Sequence, residues 1–333
     1  MDSREIVRRT LDFEAPERVA RSFGDSDFAN AGYSGPTLAT SWREAGGGRW
    51  ERTDVWGNTW ARVDATSKGE VARGALDGDD GLDRVDEVAL PDFADPAGYD
   101  GVRRKRAERP DKWLIAGLPG FAFNIARKLR RLDQYLADLY TSPDEIHALH
   151  DRLDAILETM IRNHAAAGAD AIMFPEDWGT QDRLMIDPAL WREEFGPRFE
   201  KLCGVARECG VRVFMHSCGQ TEAIVPDLVR AGVDLLQFDQ PELHGLDTLA
   251  SHHEEARITF WCPVDIQKTL QSGDEQLVRA RAREMLDKLW RGRGGFVAGF
   301  YWGMEAIGVD PALQGAASDE FKAHGVRSRY ADA

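Results

Sequence analysis

The sequence predicts an α/β fold built as a closed barrel, and three observations predict it. From Trp113 onward, short apolar runs recur between longer amphipathic stretches. Those stretches have helical spacing and close on glycine. No G-x-G-x-x-G follows a strand and no G-x-x-x-x-G-K-[ST] is present, so the usual reason for an open nucleotide-binding sheet is missing. Alternation of this kind places chemistry at the carboxyl ends of the strands.

The runs are WLIAGL at 113–118, ADAIMF at 169–174, VRVFMH at 211–216, VDLLQF at 233–238, ITFWC at 258–262 and GFVAGF at 295–300. Apolar on both faces, they read as buried parallel strands. Among the intervening helices the segment 142–168 is the clearest. Ser142 is its expected N-cap with Glu145 completing a capping box, Ile146, Leu149, Leu153, Ile156, Leu157 and Met160 recur at three- and four-residue steps, and Gly168 ends it. The stretches before the third and last runs close on glycine in the same way.

Residues 1–112 are less regular. A helix over Arg4–Leu11 and a first strand near Arg18–Ala20 precede Gly- and Trp-rich sequence, in which WERTDVWGNTWARVD reads as a β-hairpin turned at Gly57-Asn58. The acidic segment 74–87 reads as a solvated surface. The whole chain, 1–333, is expected to be one domain, an irregular part over 1–112 and regular β/α repeats over 113–333.

With 42 Lys and Arg against 57 Asp and Glu, the net charge of −15 would repel a phosphate backbone, which excludes nucleic acid as the expected partner. A mean hydropathy of −0.44 and the lack of a long apolar run argue against a membrane span. The N-terminus is charged throughout, which points to the cytoplasm, where the four cysteines are expected to be free thiols, ligands or core. Cys203 and Cys209, six apart on a helix, make neither a redox pair nor a one-face ligand pair. His147, His150, His164, His252 and His253 read as surface or structural. No G-x-S-x-G elbow supports a serine nucleophile.

The sharpest local feature is FMHSCGQ at 214–220. A strand alternates its side chains, so His216 and Cys218 project to one side at the carboxyl end, and imidazole nitrogen with thiolate sulfur suits zinc. Cys262, at the end of a later strand, is the third candidate metal ligand on position alone. Glu176 and Asp177 follow another apolar run, where a carboxylate can act as ligand or general base, and one of the two is expected to face the cavity. Asp239 and Gln240, then Asp265, end two further runs. Trp178, Trp261, Tyr301 and Trp302 could line a pocket for a ring-bearing substrate, although packing is an equally ordinary use for tryptophan.

Together VRRTLDFEAPERVA, the segments 176–202 and 216–242, and PVDIQKTL carry a resemblance over nearly the whole chain. The sequence resembles the uroporphyrinogen decarboxylase superfamily, and within it the corrinoid-dependent methyltransferase branch. The resemblance implies a (β/α)8 TIM barrel and zinc bound through a His-x-Cys pair, which His216 and Cys218 match, plus a later Cys. In the region of that later Cys this chain has GGFVAGFYWGM at 294–304, with only Tyr301 or Trp302 to offer. The R-Q-A-G-R motif of true decarboxylases has no equivalent near ARSFGDSDF, which argues against a role in haem biosynthesis.

The expected function is therefore methyl transfer between a small substrate or thiol and a corrinoid borne by a carrier protein, assisted by zinc. Glu176, Asp177 and Tyr301 are the expected catalytic residues, Trp178, Asp239, Gln240, Asp265 and Trp302 the substrate-binding ones, and His216, Cys218 and Cys262 the metal ligands, with Glu176 an alternative to Cys262. A metal-free decarboxylase or lyase, and a non-catalytic partner of the corrinoid protein, are the rival expectations.

Overall fold

The structure is a computed structural model that describes residues 1–64, 67 and 69–330. Its strands are β1 (Ala20–Arg21), β2 (Phe28–Gly32), β3 (Arg43–Gly46), β4 (Arg49–Thr53), β5 (Thr59–Arg62), β6 (Glu70–Arg73), β7 (Trp113–Gly117), β8 (Ala171–Pro175), β9 (Arg212–His216), β10 (Leu235–Gln237), β11 (Thr259–Cys262) and β12 (Phe296–Ala298). Eight of them form a parallel sheet in the order β1-β12-β11-β10-β9-β8-β7-β2. All six apolar runs are strands, and helices alternate with them, as the glycine-punctuated pattern predicts.

Side-chain alternation sorts each strand between two cores. Phe28, Trp113, Ile115, Ala171, Phe214, Leu235 and Val297 pack together inside the curled sheet, whereas Ile172, Phe174, Val213, Met215, Leu236 and Phe260 join the larger core under the helices. That double burial is why these runs are apolar without alternating. The N-terminal helix Ser3–Leu11 sets Ile6, Val7 and Leu11 against the inner cluster and so plugs the amino end of the barrel.

The seam between the sheet edges is joined through Asp27. Its fully buried carboxylate receives two hydrogen bonds from Arg18, at 2.7 and 2.6 Å, and one from the Arg21 amide at 2.9 Å. Its backbone amide donates to the Arg21 carbonyl while its own carbonyl accepts from Trp113. β1 overlaps the expected Arg18–Ala20 at Ala20 and ends one residue later, at Arg21. β2, FANAG, was not foreseen, because a strand made largely of small residues carries no apolar signal.

The hairpin at Gly57 is present, with β4 and β5 paired antiparallel, and it belongs to a four-stranded sheet, β3-β4-β5-β6. Gly57 has φ +83°, and the buried Asp54 carboxylate accepts hydrogen bonds from the Trp56 and Asn58 amides and from the side chains of Asn58 and Trp60.

Two local expectations are corrected in part. Ser142 stands at the N-cap of Pro143–Ala166 but makes no side-chain capping bond. It also ends the helix Leu132–Thr141, its amide donating to Asp138, and Pro143 takes the first helical position. The segment 74–87 is solvated along its acidic residues, with Asp79, Asp80, Asp83, Asp86 and Glu87 exposed, but it is anchored rather than free, since Leu76, Leu82 and Val85 are buried and the Leu76 amide bonds the Leu129 carbonyl. Among the described residues no helix is long and apolar enough to cross a membrane.

Candidate functional site

β8 and β9 lie side by side with Pro175 opposite His216, and their pairing continues past the strand ends. The Glu176 amide donates to the His216 carbonyl at 2.8 Å, the Gly179 amide to the Cys218 carbonyl at 3.3 Å, and the Gln220 amide to the Thr180 carbonyl at 2.7 Å. Such closeness is possible only because both loops carry glycine at the crossing. A Cβ on Gly219, which has φ +77°, would run into the Gly179 carbonyl, and one on Gly179 would meet the Gln220 backbone. The Asp177-Trp178-Gly179 and Cys218-Gly219 stretches are thereby zipped together, with Asp177 and Cys218 facing the mouth.

There three donor groups converge. His216 Nε2 is 3.4 Å from Cys218 Sγ and 3.6 Å from Asp177 Oδ1, and ligand atoms of all three residues lie within 4.8 Å of one another. The Cys218 amide donates to Asp177 Oδ1 at 3.0 Å. On the far side of the imidazole, Nδ1 bonds the side-chain carbonyl of Gln237, an acceptor only, so Nδ1 carries the proton and Nε2 offers its lone pair to the cluster. Gln237 is itself oriented by donating to Asp239 at 2.8 Å. Asp177 Oδ2 accepts from Arg127, whose guanidinium is steadied by Asn124. Burial, reinforced by the Asp177 and Asp239 carboxylates, pushes the Cys218 thiol up to about 12, so it stays protonated until positive charge enters the site.

The remaining expected site residues divide. Gln240 borders the cluster, its side-chain oxygen accepting from the Gly219 amide at 3.2 Å, and Asp239 orients Gln237. Tyr301 lies within electrostatic reach: burial and then Asp239 and Cys218 raise its phenol above the ordinary value. Gln314 holds its backbone with bonds of 3.0 and 2.7 Å. Trp302 is 78% exposed and packs against Phe300.

Cys262 does not join the cluster. One residue out of phase with the inward Trp261, it is fully buried in the outer core with Phe260. Glu176 also points outward and is fully buried. Its carboxylate caps the helix Ala122–Leu129 by accepting from the Phe121 and Asn124 amides, and burial raises it to about 8 despite those bonds. Trp178 is fully buried, locked among Phe123, Trp191, Phe195 and Phe199. Asp265 spends its carboxylate on the backbone amides of Glu242, Gln267 and Lys268. Arg127 and Gln237 were missed. Gln237 left a signal, a polar residue inside an apolar strand in register with His216, but Arg127 on its helix left none.

A family profile described as Uroporphyrinogen decarboxylase (URO-D) matches residues 80–306, most of the barrel. No curated protein matches the chain. Among solved structures, a methyltransferase from Methanosarcina mazei is similar with a TM-score of 0.60 at 14% identity, covering 96% of this chain and 84% of that one. An endo-beta-1,4-xylanase from Gloeophyllum trabeum gives a TM-score of 0.43 at 11% identity over 68% of this chain and 80% of that one. A 3-keto-D-glucoside 4-epimerase from E. coli gives 0.43 at 13%, over 75% and 97%. At 14% identity the likeness to the methyltransferase is one of fold alone, and the family rests on the profile. Spanning the strands that build the mouth and the loops that carry Asp177, His216 and Cys218, that match makes this chain a member of the uroporphyrinogen decarboxylase family.

Proposed function

We propose that the protein is a methyltransferase that moves a methyl group between a small substrate or thiol and a corrinoid carried by a partner protein, with zinc held by Asp177, His216 and Cys218. The observation that carries this reading is the convergence of nitrogen, sulfur and oxygen donors at the mouth of the barrel. Three protein donors are what catalytic zinc sites use, the remaining position being left for a reacting group. Zinc bound there would supply the positive charge that favours a thiolate over a thiol at neutral pH.

This chain's own residues do the rest. Gln237 fixes the imidazole so that Nε2 faces the cluster, Arg127 orients the Asp177 carboxylate, and the zipped glycines hold the loops at one spacing. Asp239, Gln240 and Tyr301, around the same mouth, position the substrate. In the transfer, the acceptor's lone pair forms the new bond to the methyl carbon while the electron pair of the broken bond stays with the donor. A carboxylate-binding decarboxylase site is less well supported, since the cation that touches the cluster, Arg127, is already engaged by Asp177 and Asn124.

Metal analysis and a methyl-transfer assay with methylcobalamin and a small thiol test the reading. The expected result is about one zinc per chain, with metal and transfer both lost in Cys218→Ala and in His216→Ala. Metal-free protein, or transfer that survives both substitutions, would contradict it.

A further inference from the structure

Between the antiparallel sheet and the helix Ala122–Leu129 lies a cavity of about 300 Å³ that the metal cluster does not line. Half of its lining is apolar, from Leu38, Trp56, Trp60, Pro119 and Ile125, and two cations, Arg52 and Lys128, reach into it. In a chain of net charge −15, a cation normally has a carboxylate beside it, yet neither of these forms an ion pair among the described residues. Arg52 is held by ring faces instead, 4.6 Å from the centroid of Trp42 and 5.4 Å from that of Trp60, and its buried Nε has no hydrogen-bond partner among the described residues. Lys128 Nζ sits 5.8 Å from the same Trp60 ring. Burial, and then Arg127, lowers its ammonium below the ordinary lysine value. The one carboxylate in the wall, Asp54, is taken up by the four donors that close its hairpin.

An unpaired buried guanidinium donor is costly and is normally satisfied. Two cations without an ion pair among the described residues, in a cavity also lined by Trp56 and Trp60, suit a small anion with a flat apolar body. We propose that this cavity binds a small aromatic carboxylate, its carboxylate between Arg52 and Lys128 and its ring against Trp56 and Trp60. The site stands independently of the metal reading. The two adjoin, since Arg127, the residue before Lys128, holds Asp177.

The test is titration of the full chain with benzoate, followed by tryptophan fluorescence and calorimetry, beside the uncharged benzamide, the saturated cyclohexanecarboxylate, and inorganic phosphate. Saturable benzoate binding is expected, about tenfold or more tighter than benzamide, with Arg52→Gln and Lys128→Gln each weakening it by about tenfold. Should Arg52→Gln fail to fold, Lys128→Gln carries the test, because its ammonium makes no hydrogen bond among the described residues. Cys218→Ser is expected to leave benzoate affinity unchanged, so a failure of the metal reading leaves this one standing. No saturable binding of benzoate, equal affinity for benzamide, or indifference to both substitutions overturns the proposal. Phosphate or cyclohexanecarboxylate binding as tightly as benzoate overturns the aromatic part.

Discussion

Gly219 is pressed so closely against Gly179 that neither could carry a side chain, and this contact sets the distance between Asp177 and Cys218. The site is thus positioned by two residues that contribute no chemistry. Their absence of side chains lets the β8 and β9 loops continue the pairing of their strands.

Gly219→Ala is accordingly expected to act on both stability and site. The residue sits at φ +77° and its new methyl would displace the Gly179 carbonyl, so a loss of roughly 2 kcal/mol or more in urea unfolding is expected, together with loss of bound metal. A variant as stable and as metal-loaded as the parent would show that the loops do not depend on this contact.

Gln237→Leu removes the acceptor that fixes the imidazole tautomer while nearly preserving volume. Weakening of zinc affinity by about 10- to 100-fold is expected, with little change in thermal midpoint. Competition with a chelator of known affinity measures it, and unchanged affinity would remove Gln237 from the account.

Cys262→Ala separates the two thiols. Because this sulfur is fully buried in the outer core, the substitution is expected to cost about 1 kcal/mol of stability and no zinc, the reverse of Cys218→Ala. Zinc lost along with Cys262 would restore it as a ligand.

The fold and part of the site were legible in the sequence for one reason, and the remainder was hidden for another. Apolar runs bounded by glycine-closed helices report a buried parallel sheet whatever its details, so six strands could be placed from β7 onward. Period-two alternation likewise put His216 and Cys218 on one side. Across different strands, phase decides which face a side chain takes, and a strand end alone does not reveal phase. Cys262 and Glu176 stand at the right rim but one residue out of phase, while Asp177 stands in phase. Trp178 and Asp265 were misread because aromatic packing and loop amides use the same residue types that substrates do. Arg127 reaches the cluster from a helix through tertiary packing alone.

Acid lability should follow from buried histidines. His164, fully buried against Tyr99, has its imidazole lowered to about 4 by desolvation. An unfolded histidine protonates near 6.5, so between about pH 6.5 and 4 only the unfolded chain takes up the proton, and stability falls as pH falls through that window. From pH 7 to 5 this residue accounts for about 2 kcal/mol of the loss. His164→Leu is expected to flatten the pH dependence of the urea free energy by that amount, and an unaltered slope would contradict the assignment.

The central claim, a metal held by Asp177, His216 and Cys218, is tested most directly by X-ray absorption at the zinc edge on the purified protein. The account predicts about one sulfur per zinc near 2.3 Å, the rest of the shell being nitrogen and oxygen. A shell with two sulfurs, or protein that takes up no stoichiometric zinc, would contradict it.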